Sequence, residues 1–198
     1  MIPMKSPSPQ PLLTAEDLAA GGARYDHCEL WDGHLLVHQP AFLRHDVVTA
    51  RVIAPLERHV AERGLGWVVS SSAGFLLARN PDRVLSPDTA FVSKEHLPTI
   101  PERGYCPVAP DFCVEVRSTS QSWVAVAAKA GIWIAHGVRV VWAVDPESMT
   151  VAVFRPDEPP VEVTLGGAAD AGPTLPDFRL EVGDLFRGLG AGGADLMR

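Results

Sequence analysis

Residues 109–121 read "APDFCVEVRSTSQ", and the fold turns on how this run is read. Successive side chains leave a strand on opposite faces. Phe112, Val114 and Val116 therefore make one apolar row, and Asp111, Cys113, Glu115 and Arg117 make the other. The first row can build a core. The second puts a Glu and an Arg at the end of an otherwise core-like strand, where a charged row is either wet or functional. Ser118 and Gln121 then match a capping box, which predicts a helix from about Gln121 to His136 that Gly137 ends.

Downstream, "VRVVWAVDP" (138–146) is nearly continuous in apolar residues, as expected for a strand buried on both faces. "MTVAVFRP" (149–156) and "PVEVTL" (160–165) read as edge strands, and "LEVGDLFRGL" (180–189) as a last short helix. Upstream, the proline-punctuated "LPTIPERGYCPVAP" (97–110) is a loop. "WVVSSSAGFLLAR" (67–79) and "RVLSPDTAFVS" (83–93) are strand-rich and joined by the turn-forming "NPD". From Arg44 to Arg63 apolar spacing predicts an amphipathic helix closed by Gly64, with Pro55 inside expected to kink or split it. "CELWDGHLLVH" (28–38) is a hairpin turning at Asp32-Gly33, and "TAEDLAAGG" (14–22) a short helix capped by Thr14 and Asp17.

This order predicts the α/β class: a central mixed sheet flanked by helices, with an extra N-terminal hairpin. At 198 residues one domain is expected, spanning 14–188, with a disordered leader over 1–13 and a flexible tail over 189–198. The three cysteines are odd in number and lack a CxxC pair, which fits a reducing compartment and a cytoplasmic location. No stretch is long and apolar enough to predict a membrane span. A net charge of −7 argues against binding nucleic acid by wide phosphate neutralisation. It leaves room for a local cleft in which carboxylates hold a metal beside a few basic groups.

Asp88 and Glu115 sit on two strands expected in one sheet, and Mg²⁺ or Mn²⁺ takes one or two carboxylates plus water and phosphate. Lys129, fourteen residues after Glu115, lies on the following helix, from where it can reach back over the strand end. Each has an ordinary alternative: a strand start after Pro87 for Asp88, an ion pair with Arg117 or Lys129 for Glu115, a solvated helix position for Lys129. The seven histidines show no metal-ligand spacing and read as fillers, although His34 and His38 could line a cleft near Glu29. Trp123, Trp133 and Trp142 read as core anchors. "SSSAG" (70–74) lacks the lysine of a phosphate-binding loop.

The segments "CELWDGHLLV", "SPDTAFVS", "APDFCVEVRS" and "KAGIWIAHGVRVVWAVDP" occur in an order that resembles the Uma2 family (DUF820), a branch of the PD-(D/E)XK restriction-endonuclease-like nucleases. The resemblance covers roughly residues 14–187. It implies a restriction-endonuclease-like core, Asp88 and Glu115 as ligands of Mg²⁺ or Mn²⁺, and Lys129 as the catalytic lysine. Glu29 would be the fourth member of the site and its third acid, and Arg117 would contact phosphate. The implied activity is metal-dependent phosphodiester hydrolysis of nucleic acid, DNA ahead of RNA, with no membrane partner and a homodimer left open. Ala125 stands where the family usually carries an acidic residue, and Arg117 where the family is mostly aliphatic. Ala125 and the acidic net charge favour a second reading, a catalytically impaired relative that binds a partner or nucleic acid.

Overall fold

The computed structural model describes residues 11–38 and 42–189. The central element is a six-stranded mixed sheet built around the strand β7 (Phe112–Val116). In chain order its other members are β3 (Gly66–Ser70), β6 (Thr89–Ser93), β8 (Val140–Asp145), β9 (Thr150–Phe154) and β10 (Val161–Val163). Across the sheet the order is β10-β9-β8-β7-β6-β3, with β7 and β8 parallel and every other pair antiparallel. The parallel pair needs a crossover. Helix α3 (Trp123–Ala135) supplies it.

All five residues of β7 are buried, so both rows of the strand are covered. Phe112, Val114 and Val116 face a core formed with helix α2 (Leu43–Arg63), helix α4 (Val182–Phe186) and the C-terminal segment. There Phe178 stacks on Trp142 at 5.9 Å and Phe112 meets Trp142 edge-on at 5.1 Å. Cys113 faces a second core with Val126, Ala130 and Trp133 of α3. Cys113 and Glu115, the part of the second row inside the strand, are therefore dry and lie beneath a helix.

α2 is one unbroken helix despite Pro55. Its buried row is Val48, Val52, Leu56 and Val60, and packing on both sides of Pro55 outweighs the loss of about 3 kcal/mol expected for a helix proline. Gly64, at φ 58°, closes the helix in the left-handed conformation that glycine adopts without a Cβ penalty. α3 starts later than expected. Ser122 is its cap, accepting from Ala125 N–H, while Ser118 and Gln121 pair with each other in the preceding turn.

The early hairpin, β1 (Cys28–Trp31) and β2 (His34–Val37), belongs to a second sheet. That sheet also contains β4 (Phe75–Ala78) and β5 (Arg83–Leu85), in the order β2-β1-β5-β4. The two strand-rich stretches are thus each shared between sheets: β3 and β6 go to the central sheet, β4 and β5 to the smaller one. Helix α1 (Ala15–Ala20) packs on the smaller sheet with the Thr14–Asp17 capping box formed. β9 lies inside the central sheet rather than at its edge. Residues 180 and 181, expected at the start of the last helix, instead belong to β12 (Arg179–Glu181), paired with β11 (Ala168–Asp170). Of the expected leader, residues 11–13 are described, and Leu13 N–H donates to Gly33 O at 2.8 Å. The rest of the leader and tail residues 190–198 lie outside the described residues.

Candidate active site

The C-terminal end of β7, the start of β6, one turn of α3 and strand β1 meet at one cluster of charges. Asp88 directly precedes β6, its N–H donates to Val114 O at 3.1 Å, and its Oδ2 accepts Val116 N–H at 2.6 Å. Backbone and side chain thus both tie Asp88 to the segment that carries Glu115. Glu115, on the row beneath α3, accepts the indole N–H of Trp133 at 2.7 Å through Oε1. Trp133 is a core anchor, as expected, and also a donor to this carboxylate.

Lys129 lies one helical turn before Trp133, so i,i+4 spacing puts both side chains over the same strand. Its ammonium donates to Glu29 Oε1 at 2.9 Å and to Ser86 O at 3.0 Å, and makes an ion pair with Glu115 Oε1 at 3.1 Å. Lys129 is therefore largely buried rather than solvated, and the partner of Glu115 is Lys129, not Arg117. Glu29 also accepts Ser86 N–H at 2.7 Å on Oε1 and bonds His38 Nε2 at 2.8 Å through Oε2. His34, on the same hairpin, is exposed.

Burial raises the Glu115 carboxyl; Lys129 opposes that effect while Asp88 and Glu29 add to it, leaving Glu115 at about 7. Burial acts on Glu29 in the same direction, but Lys129, His38 and Ser86 N–H outweigh it and hold Glu29 at about 2. Burial alone would lower the Lys129 ammonium. The carboxylates of Glu115, Glu29 and Asp88 instead raise it above its ordinary value.

Arg117 stands apart. Although it shares the Glu115 row by alternation, its guanidinium pairs with Asp145 at 3.0 Å and Glu147 at 2.8 Å, and its Nε–H donates to Gln121 O. Ala125, on the exposed side of the first turn of α3, brings no carboxylate to the cluster.

His45 joins the site without a sequence expectation behind it. Its Nε2 lies 3.2 Å from Asp88 Oδ2 and its Nδ1 3.1 Å from Asp46 Oδ1. Burial lowers the imidazolium, but Asp88 and Asp46 outweigh that effect and bring it to about 9. The signal for it was its place three residues before Val48, at the head of the buried row of α2. A polar residue continuing an apolar stripe needs a partner.

Two oxygens in the cluster are uncommitted: Asp88 Oδ1 and Glu115 Oε2 take no hydrogen bond from a described residue. Among the described residues no three His, Cys, Asp or Glu side chains form a metal cage. Asp88 and Glu115 are the two cluster carboxylates with an oxygen to offer, and a cation such as Mg²⁺ takes one or two carboxylates and completes its shell with water and phosphate.

The comparisons agree with this architecture. The Uma2 family model, described as "Putative restriction endonuclease", matches residues 16–183. The chain belongs to the Uma2 family. Among solved structures, a protein from Anabaena variabilis ATCC 29413 described as "a putative nuclease belonging to DUF820" matches with a TM-score of 0.76 at 18% identity. The match covers 88% of this chain and 97% of that one. At that identity the likeness speaks for the Uma2 fold. No curated protein matches. No helix among the described residues is long and apolar enough to cross a membrane.

Proposed function

We propose that this Uma2 chain is a metal-dependent endonuclease that hydrolyses phosphodiester bonds of nucleic acid, with DNA as the first substrate to test. The observation that carries the reading is the buried Lys129 ammonium between Glu29 and Glu115, beside two carboxylates that each keep a free oxygen. Asp88 and Glu115 are the residues that would hold Mg²⁺ or Mn²⁺; such a cation lowers the pKa of bound water and offsets phosphate charge. Lys129 is a fixed positive charge where negative charge develops on the phosphate, an arrangement that needs no reorganisation during the reaction. Trp133 holds the Glu115 oxygen that faces Lys129 and keeps the other available. Arg117 has its guanidinium committed to Asp145 and Glu147, so a phosphate contact would require it to leave them.

Incubating supercoiled plasmid, and separately RNA, with Mn²⁺ or Mg²⁺ tests this. Cleavage is expected to disappear on chelation and in both Asp88→Asn and Lys129→Met. Metal-independent cleavage, or cleavage that survives both substitutions, overturns it. Because Ala125 supplies no carboxylate, a second reading is a relative that binds nucleic acid without cutting it. Binding of uncut DNA that Mn²⁺ does not alter would favour that reading.

A further inference from the structure

The acidic residues of the cluster are not equivalent in what their oxygens already do. Glu29 is the most heavily engaged: Oε1 accepts both Lys129 Nζ–H and Ser86 N–H, and Oε2 bonds His38, so both its oxygens already have partners. Asp88 and Glu115 each retain an oxygen without a described partner. The ammonium of Lys129 has three N–H donors. Two make hydrogen bonds, to Glu29 and to the Ser86 carbonyl, while its approach to Glu115 is an ion pair at 3.1 Å. If Glu115 turns toward a cation, Glu29 and Ser86 remain to hold the lysine. Glu29 comes from the smaller sheet and Ser86 from the exit of its strand β5.

Building on the nuclease reading, we infer that Glu29 is a positioning residue that holds Lys129 in place, braced by His38, and is not a metal ligand. With partners on both oxygens, Glu29 keeps about one lone-pair site, on the oxygen that His38 already holds, whereas Asp88 and Glu115 each offer a whole oxygen. The β1–β2 hairpin thereby has a task in the site: it carries the clamp for a lysine that belongs to the central sheet's crossover helix. His38, about one-third exposed, closes the clamp from the solvent side.

The test uses the full chain with Glu29→Gln, Glu29→Ala and Asp88→Asn, and two readouts besides cleavage. The first is acylation of Lys129 by acetic anhydride, read by mass spectrometry of its peptide. Glu29→Ala is expected to raise it several-fold, and Glu29→Gln, which keeps an oxygen for the ammonium, to return it toward wild type. The second is the Mn²⁺ concentration giving half of the melting-temperature rise. Asp88→Asn, which removes a charge proposed to hold the cation, should move it several-fold further than Glu29→Gln does. Equal shifts in Glu29→Gln and Asp88→Asn would make Glu29 a ligand and overturn the inference. Unchanged Lys129 labelling in a folded Glu29→Ala would also overturn it. Should Glu29→Ala not fold, the Mn²⁺ comparison between Glu29→Gln and Asp88→Asn decides alone. A wild type that ignores Mn²⁺ sinks the metal reading instead, and the labelling arm still judges whether Glu29 holds Lys129.

Discussion

Replacing Glu115 with Gln asks what a buried carboxylate that Lys129 only partly compensates costs the fold. The Glu115 carboxyl rises from an ordinary 4.5 to about 7, first because it is buried and then because Asp88 and Glu29 lie near, with Lys129 only partly offsetting them. A group whose folded value lies above its unfolded one adds stability below the unfolded value and loses it as pH rises through the folded value. Wild type should therefore lose stability through Glu115 between about pH 4.5 and 7, by roughly 3 kcal/mol in all. Gln copies the protonated form, can still accept from Trp133, and does not titrate. Lys129 keeps Glu29 as its partner, so the change strands no cation. The variant should equal wild type near pH 4.5 and exceed it by roughly 3 kcal/mol at pH 8 without metal. His45 and the other titrating groups are common to both proteins and largely cancel in the difference. Urea unfolding at pH 5, 6.5 and 8 with a chelator present measures it. Parallel curves, or a variant less stable at pH 8, would refute the argument that Glu115 is held charged against its surroundings.

Lys129→Met should behave in the opposite way, because it leaves Glu29 and Glu115 buried without their cation; a loss of about 3–5 kcal/mol is expected in urea unfolding at pH 8. Glu29 is held at about 2, so its stabilisation is present above about 4.5 and lost as pH falls toward 2. Glu29→Gln should accordingly flatten the acid limb of the stability curve, and an unchanged limb would contradict the assigned hydrogen bonds. Arg117→Ala should lower stability in urea unfolding by leaving the buried Asp145 without its guanidinium, while leaving Mn²⁺-dependent cleavage within a few-fold of wild type. Abolished cleavage in a folded Arg117→Ala would place Arg117 at the phosphate after all.

Much of the architecture was legible because it is local. The Thr14–Asp17 box, the Asp32-Gly33 hairpin, the β7 alternation and the long helix before Gly64 all depend on residues within a few positions of one another. What alternation cannot say is which sheet a strand joins, since that is fixed by partners far along the chain. Hence residues 67–93 read as strand-rich without showing that β4 and β5 leave the central sheet for the smaller one. Two serines competed to cap α3, and Ser122 prevailed while Ser118 took Gln121 into a turn. β11 and β12, three residues each, are too short to show a period. In the candidate site, Asp88, Glu115, Lys129 and Glu29 stand out through the resemblance to the Uma2 motifs, whereas His45 reaches Asp88 across forty-three positions with no local trace beyond its place on the buried stripe of α2.

Between β5 and β6 the chain crosses from one sheet to the other in three residues, Ser86, Pro87 and Asp88. Ser86 gives its N–H to Glu29 and its carbonyl to Lys129, and Asp88 gives its N–H to Val114 and its carboxylate to Val116 N–H. This segment works as a gauge. One residue added or removed would displace an end by about 3.3 Å and turn its side chain to the opposite face, and either error exceeds the tolerance of every contact just named. Length, more than composition, is the quantity this crossing must preserve, so an engineer seeking a loop to lengthen or an insertion site for a tag should look anywhere else on the chain first.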